Sequence, residues 1–189
     1  FLSFVANSQN EFFNRGALVV IQDSCLVKVQ GNVKNTSGTI ENNGVFDIDR
    51  NHEILNTGVS FGNGEYRVKQ DWINDNLFNA DSSLVRMWGS NQDITGAVVT
   101  SFWNLSNENT GIKTLGLDVN ILNTLDLTTV ETYVDNYKLT VFNPFVNSVL
   151  YDSTYSFEGF VSNSLGGELV RFTNSNSWYI LPLGSSIGT

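Results

Sequence analysis

The chain has 189 residues, of which 41% are hydrophobic and 15% are charged, and its 19 acidic and 10 basic residues give a net charge of −9. This length supports one sizeable core and favours a single domain, and the negative charge argues against a nucleic-acid partner because phosphates would be repelled. The single cysteine, Cys25, excludes an internal disulfide, and no pattern links it to His52 as a catalytic thiol.

Residues 1–8 resemble the end of a secretory signal peptide. An apolar run, residues 1–5, precedes the small residues Ala6 and Ser8, which have the spacing of a signal-peptidase site. We therefore expect a secreted protein in which residues 9–189 form one domain, as a segment of a longer chain. The alternative is that residues 1–8 form an N-terminal strand that caps the fold. No stretch is long enough to span a membrane as a helix.

A strand pattern recurs four times between Ser24 and Trp88, at a step of about 19 residues. Each copy begins with a turn dipeptide and continues with apolar and polar residues in alternation. The apolar positions are Val27, Phe46, Tyr66 and Val85, followed two residues later by Val29, Ile48, Val68 and Met87. The polar positions are Lys28, Asp47, Arg67 and Arg86, followed two residues later by Gln30, Asp49, Lys69 and Trp88.

The constant step predicts an all-β solenoid. The pairs Asn43-Gly44 and Asn63-Gly64 are typical of hairpins when each is considered alone. A repeat that preserves side-chain type instead suits coils that stack on one another, about 4.8 Å apart. The predicted fold is a right-handed parallel β-helix with coils of about 19–20 residues, less regular in the C-terminal third. The alternative is a Greek-key β-sandwich.

A second strand is predicted in each coil, at residues 33–35, 54–56 and 72–74. These segments place Val33, Ile54 and Trp72 in one column. The Asn that ends each segment suits a corner with left-handed backbone, where it can hydrogen-bond to the Asn of the next coil. Later strands are expected at residues 102–106, 117–121, 125–127 and 138–141, where the same alternation continues.

The order of the segments resembles large surface proteins of Bacteroidetes-type bacteria. The resemblance is carried by residues 16–20, 29–33, 37–44, 92–96, 100–105, 117–127, 167–171 and 179–184. It implies secretion, commonly through a type IX pathway, and a β-helical or β-rich stalk with an adhesive role. It supplies no catalytic residues.

Two carboxylates, Asp47 and Asp49, share one strand face about 7 Å apart, a spacing that also suits acid–base chemistry or a cation. Lys28 and Arg67 flank Asp47 in the predicted stack, and Lys69 flanks Asp49. The pattern therefore predicts a ladder of surface ion pairs, each contributing a few tenths of a kcal/mol.

The candidate ligand-binding residues are Trp88, Arg86, Lys69 and Asp49. The column of Trp88 points outward, so we expect an exposed indole that can stack on a sugar ring or anchor a partner. The alternative is that a loop, residues 93–100, covers it. A polysaccharide lyase or hydrolase would need a Lys or Arg base beside acidic residues, and the nearest such group is Arg67, Lys69, Arg86 and Asp49. Side chains of alternating charge on a sheet face are, however, typical of a solvated surface.

No cofactor is predicted. The acidic residues Asp71, Asp75, Asp118 and Asp126 could offer oxygen ligands to Ca²⁺ at coil corners, but the sequence contains no EF-hand and no calcium-binding nonapeptide repeat. The sequence therefore favours solvated corner residues over a Ca²⁺ site.

The sequence thus favours a non-enzymatic extracellular stalk or adhesin module whose partners are surface glycans or other surface proteins. One alternative is a carbohydrate-binding or carbohydrate-cleaving β-helix that uses the face around Trp88. Another is a structural subunit that associates end to end, because an uncapped solenoid exposes a sheet edge.

Overall fold

The chain folds as an all-β solenoid of about 7 turns with a spacing of roughly 20 residues. The structure is a computed structural model that describes residues 11–152 and 159–185, so the prediction for residues 1–8 lies outside the described residues. All described strand pairs are parallel. The predicted parallel β-helix is therefore confirmed, and the sandwich alternative is wrong.

The strands form three sheets, and each of the first four coils contributes one strand to each sheet. The first sheet contains β1 (Glu11–Asn14), β4 (Asn32–Asn35), β7 (His52–Ile54), β10 (Trp72–Asn74), β13 (Gln92–Thr95), β15 (Lys113–Leu115), β17 (Thr132–Tyr133) and β20 (Val161–Ser162). The second contains β2 (Leu18–Ile21), β5 (Thr39–Asn42), β8 (Val59–Phe61) and β11 (Leu77–Asn79). The third contains β3 (Leu26–Val29), β6 (Val45–Ile48), β9 (Glu65–Val68), β12 (Leu84–Met87), β14 (Thr100–Asn107), β16 (Val119–Leu127), β18 (Lys138–Val141) and β21 (Glu168–Arg171).

The third sheet has the register that the repeat predicts. Val27 pairs with Phe46, Phe46 with Tyr66, and Tyr66 with Val85. The alternating residues of these strands point into the core or outward, as the period of two requires. The Asn-Gly pairs lie at corners, where a coil turns from the second sheet to the third. The coils stack closely there, since a Cβ at Gly64 would lie 2.3 Å from the carbonyl oxygen of Gly44.

The predicted column of the first sheet is wrong in the third coil. His52, and not Ile54, pairs with both Val33 and Trp72, while Ile54 pairs with Asn35 and Asn74. The reason is a constant corner between the third and first sheets, because Val33, His52 and Trp72 each lie four residues after an inward-facing residue of the preceding strand. The prediction aligned Asn56 with Asn35 and Asn74, and this alignment displaced the predicted strand of the third coil by two residues.

The corner role of asparagine is confirmed at one position only. Asn56 has a left-handed backbone with φ of 50°. Asn35 and Asn74 are instead buried in strands, and they bond to the next coil through partners other than Asn. The Nδ2 of Asn35 donates to the carbonyl oxygen of Val59 (2.7 Å), and that of Asn74 donates to the hydroxyl of Thr100 (3.0 Å).

Aromatic rings are stacked through the core of the first five coils. Their centroids lie 4.7–6.3 Å apart, mostly in edge-on or tilted pairs, which is a favoured geometry. The ring members are Phe12, Phe46, His52, Tyr66, Trp72, Phe78 and Phe102.

The C-terminal third is less regular, as predicted, and the irregularity begins earlier in the chain, at β14. β14 and β16 have 8 and 9 residues, and their register shifts between Phe102 and Asn104. β16 then pairs with two separate strands, β18 and β19 (Val149–Tyr151), the latter preceded by a short 3₁₀ helix, Val146–Ser148. The pairing of Thr132 with Val161 makes that step 29 residues long. In the described ranges, no helix has the length and apolar character needed to cross a membrane.

Candidate functional site

The four predicted binding residues lie together on the outward face of the third sheet. Backbone hydrogen bonds fix the column, since the amide of Lys69 donates to Ile48 (3.0 Å) and that of Trp88 donates to Val68 (3.1 Å). Arg86 is on the same face, two residues before Trp88 in β12. The repeat therefore placed these side chains correctly relative to one another.

Lys69 occupies the centre of this group. Its ammonium pairs with the carboxylate of Asp49 and lies 4.7 Å from the centroid of the Trp88 ring, a cation–π distance. Lys28 contacts Asp49 from the other side at 3.4 Å. Burial opposes ionisation of Asp49, but the hydrogen bond from Lys69 and the two lysine charges outweigh it and hold the pKa of that carboxyl below its usual value.

Trp88 is half-buried, contrary to the expectation of an exposed indole. Its Nε1 is buried, and no hydrogen-bond partner for it is found within the described parts of the chain. Of the residues in the predicted covering loop, 93–95 belong to β13 of the first sheet. Lys69 contacts the ring, because the two residues are neighbours in the same outward column.

The predicted ladder is confirmed at Lys28 and Asp47, whose Nζ and Oδ2 atoms lie 3.2 Å apart. It is wrong at Arg67, which bonds to Glu65 of its own strand through Nε (2.8 Å) and Nη2 (3.1 Å). Asp47 is the register partner of Arg67, but Glu65 lies on the same face two residues away, and the side-chain rotamers place its carboxylate against the guanidinium.

Glu65 is the central acid that sequence reasoning missed. It also accepts a hydrogen bond from Nε of Arg86 at 2.6 Å, while the other end of Arg86 pairs with Glu108. Burial opposes the charge of Glu65, but the two guanidinium groups outweigh it, so the pKa of Glu65 is lowered. The signal that could have found it was its spacing of two residues before Arg67.

The corner acids do not converge on one cation. The carboxylates of Asp71, Asp75 and Asp118 each accept a hydrogen bond of 2.9 Å from a backbone amide of the next coil. Asp126 accepts hydrogen bonds from Ser106 (3.2 Å) and from the hydroxyl of Thr128 (2.7 Å). Among the residues that the structure describes, no three metal-ligating side chains form a group. These acids therefore fasten one coil to the next.

Cys25 and His52 do not form a catalytic pair. Cys25 is exposed at a corner, whereas His52 is fully buried in the first sheet. Burial lowers the pKa of His52 to about 3, so the imidazole is neutral in the folded protein at ordinary pH.

Lys113 is a buried cation that sequence reasoning missed. Its ammonium donates to the carbonyl oxygens of Gly89 (2.8 Å), Ser90 (2.6 Å) and Thr110 (3.1 Å). Burial lowers the pKa of Lys113 to about 8, and the charge of Glu108 opposes that shift. Lys113 is the register partner of Gln92. The side chain of Gln92 likewise donates to the carbonyl oxygen of Val68, at the corresponding corner of the preceding coil. Both side chains thus join successive coils.

The third-sheet face as a whole is a network in which lysines, arginines and acids pair with one another. Such a network holds neighbouring coils in register, and within it Lys69 contacts the ring of Trp88. Comparison of the chain with protein-family models, with curated proteins and with solved structures found no match.

Proposed function

We propose that the chain is a non-enzymatic, extracellular β-helical stalk or adhesin module of a bacterial surface protein. The observation that carries the proposal is the in-register stack of parallel coils, with the same columns continued from β3 to β14. About seven coils at about 4.8 Å each give a rod about 34 Å long. A rod of this kind separates what lies at its two ends and presents long, flat faces to partners.

Two further features support this role. The charged side chains of the third sheet bind one another across coils, which stiffens the rod. The secretory character of residues 1–8 and the resemblance to Bacteroidetes-type surface proteins support an extracellular location.

Antibody labelling of the source cells tests the location. An antibody raised against the purified segment should label intact cells as strongly as permeabilised cells, and treatment of intact cells with protease should remove the signal. A cytoplasmic protein serves as the control for leakage. Labelling that requires permeabilisation would contradict the proposal.

A second candidate function is carbohydrate binding at Trp88, which the outward position of its column favours. Because Lys69 contacts the ring, a sugar would have to use the remaining exposed part of the indole or displace the ammonium. Glycan-array binding of the segment that disappears in Trp88→Ala and persists in Asp23→Asn would support this candidate. Binding that survives in Trp88→Ala would exclude it.

A further inference from the structure

A cleft of about 470 Å³ opens on the outer face of the first sheet, away from the third-sheet network. Its floor is one outward column in which each residue pairs with the next across the stacked strands. The column consists of Asp93, Thr114, Tyr133 and Ser162. Three steps between parallel strands make this floor about 14 Å long. The cleft is therefore an elongated groove that runs along the solenoid axis.

The groove contains hydrogen-bonding groups, and none of the described residues that line it is basic. Hydroxyls of Thr114, Tyr133 and Ser162 lie on its floor, and amides of Asn91 and Asn163 lie at its sides. Hydroxyl and amide groups both donate and accept hydrogen bonds. This combination matches a ligand that carries many hydroxyls of its own.

Its charge is negative. Asp93 and Glu131 both line the groove, and no described ion pair involves Asp93. Burial raises the pKa of Asp93, and the nearby charge of Asp71 raises it further. An anionic ligand would be repelled here. The hydroxyl and amide lining favours a neutral molecule with many hydroxyls, to which a carboxylate is a strong hydrogen-bond acceptor.

The groove is held in a fixed shape by contacts of its own. The hydroxyl of Ser162 donates to the carboxylate of Glu131, and both residues are at least nine-tenths buried. The Tyr133 hydroxyl donates to Asp135 (3.2 Å) and also contacts the hydroxyl of Ser164. The ring of Tyr133 is thereby fixed on the floor, where its face can pack against the C–H face of a sugar.

We propose that this groove is a binding site for a neutral oligosaccharide. Clefts of about 300–1,000 Å³ bind compact organic ligands, so roughly two sugar rings fit along the floor. Tyr133 supplies the stacking surface, while Asp93 and the hydroxyl and amide groups bind the sugar hydroxyls. The site shares no residue with the face around Trp88 and goes beyond the scaffold role.

Calorimetric titration with neutral gluco-, manno-, galacto-, xylo- and chito-oligosaccharides tests the proposal on the purified segment. At least one of these probes should bind at millimolar or tighter dissociation constant, with an affinity that changes little between about 50 mM and about 500 mM salt. Asp93→Asn and Tyr133→Ala should each weaken binding at least tenfold. The controls, Asp23→Asn and Phe61→Ala, change an exposed acid and an outward-facing aromatic residue of the second sheet, and they should leave the affinity unchanged.

Asp93→Asn decides the test if Tyr133→Ala fails to fold, because Asp93 is exposed and its backbone contacts are retained. Absence of binding to every neutral probe would overturn the proposal. Binding that Asp93→Asn leaves intact, or binding confined to acidic oligosaccharides, would overturn it as well.

Discussion

His52 is a basic side chain in an apolar core, and neither ring nitrogen has a hydrogen-bond partner in the described ranges. It lies between Phe46, Tyr66 and Trp72, with ring centroids at 4.7–6.2 Å. The role of this residue is therefore packing, and its titration affects stability instead of catalysis.

The stability of the protein should fall in acid because of His52. Its pKa is about 3 when folded and about 6.5 when unfolded, so between these values the unfolded state binds the extra proton and stability rises with pH. The contribution lost on going from pH 7 to pH 4 is about 3 kcal/mol.

Urea unfolding of the wild type and of His52→Phe at several pH values measures this. The variant should be as stable as the wild type at pH 7 and should lose about 3 kcal/mol less by pH 4. The paired carboxylates titrate in both proteins, so the difference isolates the histidine. Parallel loss of stability in the two proteins would contradict the assignment.

Lys113 supports a corner through its three hydrogen bonds to carbonyl oxygens. Lys113→Met leaves three acceptors, of which that of Gly89 is buried, without their donor, so the free energy of unfolding should fall by about 2 kcal/mol. Lys138→Met is the matched control, since that lysine is exposed and pairs with Glu168 at 3.2 Å. Its cost should be below about 0.5 kcal/mol. Equal costs in chemical denaturation would show that the corner does not depend on Lys113.

Within one coil, the corner before each strand of the third sheet sets how closely the coils stack. Gly64→Ala would place its Cβ 2.3 Å from the carbonyl oxygen of Gly44, which forces the coils apart. The expected loss in the free energy of unfolding is about 3 kcal/mol or more.

The control is Ser83→Ala, in the corresponding position of the next coil. The Ser83 side chain is buried, and its hydroxyl has no partner in the described part of the chain. Its removal should be neutral or stabilising. A thermal melt in which Gly64→Ala is as stable as Ser83→Ala would contradict the close stacking.

The sequence predicted the third sheet well because both of its faces carry a signal. Val29, Ile48 and Val68 repeat on the inner face, and charged residues repeat on the outer face. The first sheet was predicted less well, since its inner column holds Val33, His52 and Trp72, which share burial but no chemical type. The fixed corner length was the reliable guide there.

The candidate site was predicted in its membership and in part of its contacts, since the pairs Lys28–Asp47 and Lys69–Asp49 are present but that of Arg67 with Asp47 is not. Register brought Asp49, Lys69, Arg86 and Trp88 together, because parallel pairing depends only on the step between coils. The choice between Asp47 and Glu65 as the partner of Arg67 depends on side-chain rotamers, which the alignment of the repeats does not specify. The floor of the groove around Tyr133 includes the 29-residue step from Tyr133 to Ser162, across which the repeat no longer guides alignment.

The whole molecule is a stack of coils. If the stack is rigid, the distance between equivalent residues grows linearly with the number of coils that separate them. One outward column provides suitable labelling positions. Its members are Leu26, Val45, Glu65, Leu84, Asn104 and Thr124.

Electron–electron distance measurements between spin labels test this most directly, in a Cys25→Ser background. Leu26→Cys is combined in turn with Leu84→Cys, Asn104→Cys and Thr124→Cys, which lie three, four and five pairing steps away. The account predicts narrow distributions whose centres increase by about 4.8 Å per step, from about 14 Å to about 24 Å. Broad distributions, or distances that do not increase in this order, would contradict the stacked β-helix.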